Sequence, residues 1–139
     1  MRAIDTNVLL YAVDNSEPLK QATARQLIDR LMLTPGEGVL LWQAACEYLS
    51  SLRRWQRTGK LTAPEVDKHL DFILAAFPLA LPTKNVLLRS KQLTSRYSLS
   101  HWDALLLAAA IEAGADTLYS QDLQAGASYE SLTVVNPFS

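Results

Sequence analysis

The chain lacks several features that would each point to a class of protein. One cysteine and two histidines are present among 139 residues, so neither an internal disulfide nor a Cys/His zinc site is expected. The 13 basic and 14 acidic residues leave a net charge of −1, which argues against a broad basic surface that grips nucleic acid. No apolar run approaches the length of a membrane-spanning helix.

These absences predict a soluble, cytoplasmic protein with no membrane partner. The run from Val8 to Val13 is too short for the apolar region of a signal peptide, and Asp5 interrupts the approach to it. The lone Cys46 stands in a helical pattern, where we expect a small buried hydrophobe rather than a nucleophile. With 49% apolar residues, the chain is long enough to form one domain, residues 1–139, around its own core.

Short apolar segments alternate with helical patterns along the chain. Strands are predicted up to Asp5 and over residues 39–42, 79–81, 116–120 and 132–135, with helices between them. This alternation indicates an α/β fold, in which a mainly parallel sheet of about five short strands has helices on both faces. In such a fold the ligand site lies outside the carboxyl ends of the strands.

Four acidic residues fall at or near that edge of the predicted sheet. Asp5 ends the first strand, Glu47 lies about one helical turn beyond the second, and Asp122 closely follows the fourth. Asp103 falls in the first turn of the helix that precedes the fourth strand, so its place depends on how that helix packs. Topology alone therefore brings Asp5, Glu47 and Asp122 to the carboxyl edge.

Each acidic residue also has an ordinary structural interpretation. Asp5 is a suitable helix cap, and the segment Ser100-His101-Trp102-Asp103 has the form of a capping box. Glu47 is centred on the polar face of its helix, and Asp122 is suited to capping a short turn. We favour a shared site, because four separate explanations at one edge of one sheet would be a coincidence.

A shared site of this composition predicts a bound cation. Crowded carboxylates raise one another's pKa values unless a positive charge neutralises them. Oxygen-only ligands suit Mg²⁺ or Mn²⁺, and such ions lower the pKa of a bound water and neutralise a phosphoryl group. Hydrolysis of phosphodiester bonds is the natural chemistry for an acidic site that is poor in histidine.

Four segments form a recognisable pattern in chain order: Ile4-Asp5-Thr6-Asn7, Glu47, Trp102-Asp103-Ala104-Leu105-Leu106 and Ser120-Gln121-Asp122. Together they resemble a PIN-domain ribonuclease, and the resemblance covers nearly the whole chain. The short length is most similar to the VapC-type toxins of type II toxin–antitoxin pairs. The resemblance implies a PIN-like three-layer sandwich.

The resemblance also implies an activity and the residues that carry it. In the family an acidic quartet binds Mg²⁺ or Mn²⁺ and activates water to cut single-stranded RNA, leaving a 5′-phosphate and a 3′-hydroxyl. The positions that match this catalytic and metal-binding quartet are Asp5, Glu47, Asp103 and Asp122. The positions that match polar residues lining or supporting the pocket are Thr6, Asn7 and Ser120.

The partners implied by the resemblance are an RNA substrate, a second copy of the chain in a homodimer, and an antitoxin whose tail enters the active-site groove. Arg54 lies two turns from Glu47 on the same helix face, where it could contact RNA phosphate or an antitoxin carboxylate. Two other functions stay open, namely a PIN nuclease of RNA processing without an antitoxin and a non-catalytic PIN-fold binding module. The four acidic residues count against the second, since a scaffold has no reason to tolerate their mutual repulsion.

Overall fold

The computed structural model describes all 139 residues as alternating short strands and helices. In chain order the elements are β1 (Arg2–Ile4), α1 (Thr6–Tyr11), α2 (Pro18–Met32), β2 (Gly38–Leu41), α3 (Trp42–Arg57), α4 (Ala63–Ala76), β3 (Leu79–Ala80), α5 (Lys84–Arg96), α6 (His101–Glu112), β4 (Thr117–Tyr119), β5 (Ser128–Tyr129) and β6 (Leu132–Val135). This order confirms the predicted α/β class.

The strands form one sheet in the order β3-β2-β1-β4-β6-β5. Every neighbouring pair is parallel except β5 and β6, which are antiparallel. The mainly parallel sheet is as predicted, but it has six strands rather than about five. The additional strand, β5, exists because the chain reverses at Glu130 (φ 57°), which lets Tyr129 pair with Leu132.

The connections between strands place helices on both faces of the sheet. The chain moves from β1 to β2 to β3 through α1–α4, and then returns past both strands to β4 through α5 and α6. Because crossovers between parallel strands are right-handed, connections that run in opposite directions cover opposite faces. The buried apolar side chains form one continuous cluster between these layers. No helix combines the length and the apolar composition that crossing a membrane requires.

Local sequence signals explain several helix ends. Thr62 and Glu65 form both hydrogen bonds of a capping box at the start of α4. Gly114 follows α6 with φ 86°, the left-handed conformation for which glycine is the preferred residue.

Two local predictions are wrong, and both concern the start of α3. Trp42 is the first residue of this helix rather than the end of a strand, because the strand pairing of β2 ends at Leu41. Cys46 is exposed rather than buried. It lies on a side of α3 that no neighbouring element covers, and burial depends on such a neighbour rather than on the residue type.

Candidate active site

The centre of the site is the point where β1 and β4 lie side by side. Ile4 pairs with Tyr119, so the next residues along the two strands, Asp5 and Ser120, leave the sheet together. The Asp5 N–H donates to the Tyr119 carbonyl at 2.8 Å, and Ser120 Oγ donates to Asp5 Oδ2 at 2.7 Å. The connections from β1 and β4 diverge here, which makes this edge the usual ligand position in an α/β sheet.

Asp5 is buried, with 7% of its surface exposed, and it has a structural role at the start of α1. It is the N-cap of α1 and its Oδ1 accepts a hydrogen bond from the Thr6 N–H at 2.7 Å, as the capping interpretation expects. Burial raises the pKa of Asp5, whereas the hydrogen bonds from Ser120 and Thr6 oppose that rise. Repulsion from Glu47 and Asp122 raises the pKa further.

A polar cleft with a volume of about 350 Å³ opens over Asp5. Its lining comes from the start of α1, one face of α3 and the segment after β4, and Leu10 is its one apolar residue. The lining residues are Asp5, Thr6, Asn7, Leu10, Glu47, Ser50, Ser51, Arg54 and Asp122. The fold thus brings three of the four predicted acidic residues to one cleft.

Glu47 reaches the cleft from the second turn of α3, and two polar side chains hold its carboxylate. Thr6 Oγ1 donates to Glu47 Oε2 at 2.9 Å, and Gln43 Nε2 donates to Glu47 Oε1 at 3.1 Å. Thr6 therefore contacts both carboxylates, Asp5 through its backbone N–H and Glu47 through its hydroxyl. This arrangement follows from the packing of α1 against α3.

Asp122 is exposed at the rim of the cleft, and its carboxylate has no hydrogen-bond or ion-pair partner. Its predicted capping role is not observed. The turn is closed instead by Ser120 Oγ, which accepts from the Leu123 N–H at 3.3 Å.

Asp103 does not line the cleft. Ser100 Oγ accepts from the Asp103 N–H at 3.2 Å, which is one half of the predicted capping box, while the Asp103 carboxylate itself has no partner. Gln43 Nε2 donates to the Trp102 carbonyl at 3.2 Å as well as to Glu47. The first turn of α6 is therefore tied to the Glu47 side chain, one residue away from Asp103.

Asn7 lies on the floor of the cleft beside Asp5. Its Oδ1 accepts from the Gln121 N–H at 3.3 Å, which ties α1 to the segment after β4. Its Nδ2 is buried and has no hydrogen-bond partner. Buried donors are usually paired in folded proteins, so this nitrogen is free to donate to a group that enters the cleft.

The chemistry of this donor set fits a hard divalent cation. The cleft offers carboxylate and hydroxyl oxygens without sulfur or imidazole. No three Asp, Glu, His or Cys side chains are close enough together in this structure to form a complete metal site. The carboxylates of Asp103 and Asp122 are bound to nothing else, so neither is withheld from an ion by a competing hydrogen bond.

Three cleft or near-cleft residues were not predicted as functional. Gln43, Ser50 and Ser51 belong, with Glu47 and Arg54, to the polar face of α3. The helical spacing of these residues, which places them on one side of α3, is the signal that could have identified them.

A second depression adjoins the first and is largely apolar. This apolar groove has a volume of about 860 Å³ and lies between the start of α3, the segment before α5, and α6. Trp42 (46% exposed), Leu81 (65%) and Trp102 (63%) contribute to its lining. Gln43 is also part of the lining and, through its hydrogen bond to Glu47, connects the groove with the cleft.

Several solved structures share the fold of this chain. Among solved structures, similar chains include a toxin–antitoxin complex from Klebsiella pneumoniae (19% identity, 99% of this chain and 98% of that chain, TM-score 0.71). Another is VapBC2 from Rickettsia felis bound to a DNA fragment from its promoter (14% identity, 96% of each chain, TM-score 0.69). A third is Mycobacterium tuberculosis VapC20, a sarcin-ricin loop cleaving toxin (17% identity, 88% and 90%, TM-score 0.63).

At these identities the similarity establishes the fold alone. By sequence, no curated protein matches the chain significantly. The family model described as PIN domain matches residues 3–126, which include the ends of β1 and β4 and every residue of the polar cleft. The chain therefore belongs to the PIN domain family.

Proposed function

We propose that the chain is a divalent-metal-dependent endoribonuclease that cleaves single-stranded RNA and acts as the toxin of a type II toxin–antitoxin pair. One observation carries the proposal: a buried Asp5 shares a polar cleft with Glu47 and Asp122 at the carboxyl edge of a PIN-domain sheet. A structural role alone does not account for this cluster, because Asp5 would cap α1 equally well without two further carboxylates close enough to raise its pKa.

The four acidic residues are the ligands of Mg²⁺ or Mn²⁺ in this proposal. Asp5, Glu47 and Asp122 would hold the ion from the cleft, and Asp103 would complete the set from the start of α6. When bound, such an ion lowers the pKa of a coordinated water and neutralises charge on the phosphoryl group. The fit rests on the carboxylate and hydroxyl oxygens of the cleft. Burial is the main cause of the raised pKa of Asp5, and repulsion from Glu47 and Asp122 adds to it; a cation would offset that repulsion.

Thr6, Asn7 and Ser120 position these ligands. Ser120 holds Asp5 Oδ2, and Thr6 holds one oxygen of Asp5 and one of Glu47. Partners of this kind fix the orientation of a carboxylate, and their loss typically reduces activity or metal affinity ~10–100-fold. Asn7 fixes the position of Gln121, next to Asp122, through the Gln121 N–H.

The two depressions suit different protein partners. The polar cleft contains three carboxylates, so an antitoxin tail that enters it would need a basic side chain. The apolar groove exposes two tryptophans and leucines, the residue types that stable protein contacts bury. We assign the groove to a second copy of the chain in a homodimer and the cleft to RNA and the antitoxin tail.

The test is to express the chain alone, with the neighbouring upstream gene, and as the Asp5→Asn variant, and to compare growth and RNA fragment ends. We expect growth arrest and fragments with 5′-phosphate and 3′-hydroxyl ends from the chain alone, and neither from the variant. The purified chain should lose cleavage in a chelator and regain it with Mg²⁺ or Mn²⁺.

The two remaining functions give different results in the same experiment. Cleavage without growth arrest, and without inhibition by the neighbouring gene product, would support an RNA-processing nuclease. The absence of cleavage with any divalent ion would support a binding module and overturn the proposal.

A further inference from the structure

One face of α3 leads away from the carboxylates along the polar cleft. Glu47, Ser50, Ser51 and Arg54 are spaced so that they lie on the same side of the helix, and all four line the cleft. Arg54 is the single cationic residue of the lining. The cleft therefore has an acidic end at the strand termini and a basic end at the last turns of α3.

The charge of Arg54 is not used within the protein. Arg54 takes part in none of the ion pairs of the structure, and its guanidinium makes one long hydrogen bond, 3.5 Å from Nη2 to Ser51 Oγ. Arg89 of α5 shows the contrast, since it forms ion pairs with Glu112 of α6 and with Glu130 in the turn between β5 and β6. An exposed arginine that is left unpaired beside three carboxylates is available to an anion from outside.

Arg54 lies two helical turns beyond Glu47 on α3. Seven residues separate them, which corresponds to ~10 Å along the helix axis. This spacing along α3 suits a phosphate at Arg54 that is the neighbour of the phosphate at the carboxylates. Arg54 is for this reason a positioning residue and not a catalytic one.

Resting on the proposed function, we propose that Arg54, together with the hydroxyls of Ser50 and Ser51, binds an RNA backbone phosphate that flanks the cleaved one. An arginine beside serine hydroxyls is a typical donor set for phosphate oxygens. A nucleic acid chain must continue past the cut, and α3 provides the polar path along which it can do so.

The test measures RNA binding apart from cleavage. Fluorescence anisotropy of a short labelled single-stranded RNA is recorded as a function of salt for four proteins, all carrying Asp5→Asn. One has no further change, and the others carry Arg54→Ala, Arg54→Lys or Arg53→Ala. Arg53 is the matched control because it is exposed, unpaired and next in the same helix, but lies outside the cleft.

We expect Arg54→Ala to raise the Kd about tenfold for all RNA sequences, as the loss of one charge-assisted contact does. The slope of log K against log salt should fall in magnitude by ~0.7, the value for one phosphate on a single strand. Arg54→Lys should restore the slope and part of the affinity, because it keeps the charge but loses the planar fork. Arg53→Ala should change the Kd less than ~2-fold, since it alters only the general charge. In the active enzyme, Arg54→Ala should raise KM with little change in kcat.

Equal Kd values and slopes for the Arg54→Ala and Arg53→Ala variants would overturn the proposal. So would a fall in kcat at constant KM, which would place Arg54 at the reacting phosphate. If Arg54→Ala bound RNA as before but were no longer inhibited by an antitoxin, Arg54 would bind a carboxylate of that partner and not an RNA phosphate. RNA binding that depends on Arg54 in a chain that cleaves nothing would support this inference while the proposed function fails, and an absence of RNA binding would overturn both.

Discussion

The polar cleft and the apolar groove meet at Gln43 but are built in opposite ways. The cleft is small, and its key atoms are held by strand ends and hydrogen bonds, such as the contact of Ser120 with Asp5. The groove is more than twice as large and is lined by exposed side chains at helix starts and in the segment before α5, such as Trp102 and Leu81.

This difference indicates what each depression can do. Chemistry needs a few groups at fixed positions, and the junction of β1 and β4 supplies fixed positions because the strand register determines them. Protein association needs apolar area more than fixed atoms, and exposed tryptophan and leucine side chains supply area. Changes in the cleft should therefore act on cleavage, and changes in the groove on assembly.

The largest effect should come from Asp5→Asn. This change removes the buried carboxylate that the proposed ion requires, and even the loss of a partner of a metal ligand typically costs ~10–100-fold. We expect cleavage of single-stranded RNA with Mg²⁺ to fall by more than ~100-fold. The matched control is Asp71→Asn, an exposed residue of α4 outside both depressions, which should cleave at the wild-type rate.

Stability distinguishes the loss of a ligand from the loss of the fold. Because burial raises the pKa of Asp5 above 3.8, the folded protein keeps a proton that the unfolded chain has already released at the same pH. The free energy of unfolding of the wild type therefore falls as the pH rises from 3.8 towards the pKa of Asp5 in the folded protein. Asp5→Asn has no carboxyl group at this position and should not show this fall. In urea unfolding with a chelator, the free energy of unfolding of Asp5→Asn should exceed that of the wild type by an amount that grows as the pH rises above 3.8. A variant less stable than wild type at neutral pH would contradict the burial argument.

Ser120→Ala should have the next largest effect. It removes the hydrogen bond to Asp5 Oδ2 and the acceptor for the Leu123 N–H, while every carboxylate stays in place. We expect kcat/KM to fall ~10–100-fold, as for other partners of metal ligands. The free energy of unfolding should fall by ~1–3 kcal/mol, because buried polar atoms lose their partners. Ser98→Ala, at an exposed serine without hydrogen bonds, should change neither value.

A charged substitution in the apolar groove should weaken self-association of the chain. Leu81→Glu places a charge in the lining of the groove and should weaken self-association by about tenfold or more, the effect of losing a hot-spot residue. Sedimentation as a function of concentration measures this change, and cleavage per chain at saturating RNA tests whether the cleft is intact. Leu19→Glu, at a leucine that is 85% exposed on α2, should leave association unchanged. If Leu81→Glu and Leu19→Glu weakened self-association equally, the groove would not be the dimer interface.

The two regions also differ in how far they could be predicted from sequence. Parallel strands share a carboxyl edge, so the approach of Asp5 to Asp122 followed from the alternation of strands and helices alone. The register that sets Ser120 beside Asp5 could not be predicted from this alternation, because it depends on which residues pair in two strands that are distant in sequence. The place of Asp103 could not be predicted either, since it depends on how α6 packs.

The groove was not predicted at all. Trp42 and Cys46 are residue types that are usually buried. Only the packing of α3 against its neighbours shows that this side of the helix is exposed to solvent. A tertiary arrangement that leaves apolar side chains uncovered has no signature in local periodicity, whereas a carboxylate inside an apolar run does.

The smallest effect, and the one that tests the connection between the two regions, should come from Gln43→Ala. Gln43 lines the groove and donates from one nitrogen to Glu47 and to the Trp102 carbonyl. Because these hydrogen bonds are exposed to solvent, their loss is worth ~0.5–1.5 kcal/mol, which corresponds to a ~2–10-fold fall in kcat/KM. Self-association should be unchanged, since little apolar area is lost. A dimer weakened as much as by Leu81→Glu would show that the cleft and the groove act as one site, because a side chain that orients Glu47 would then also determine assembly.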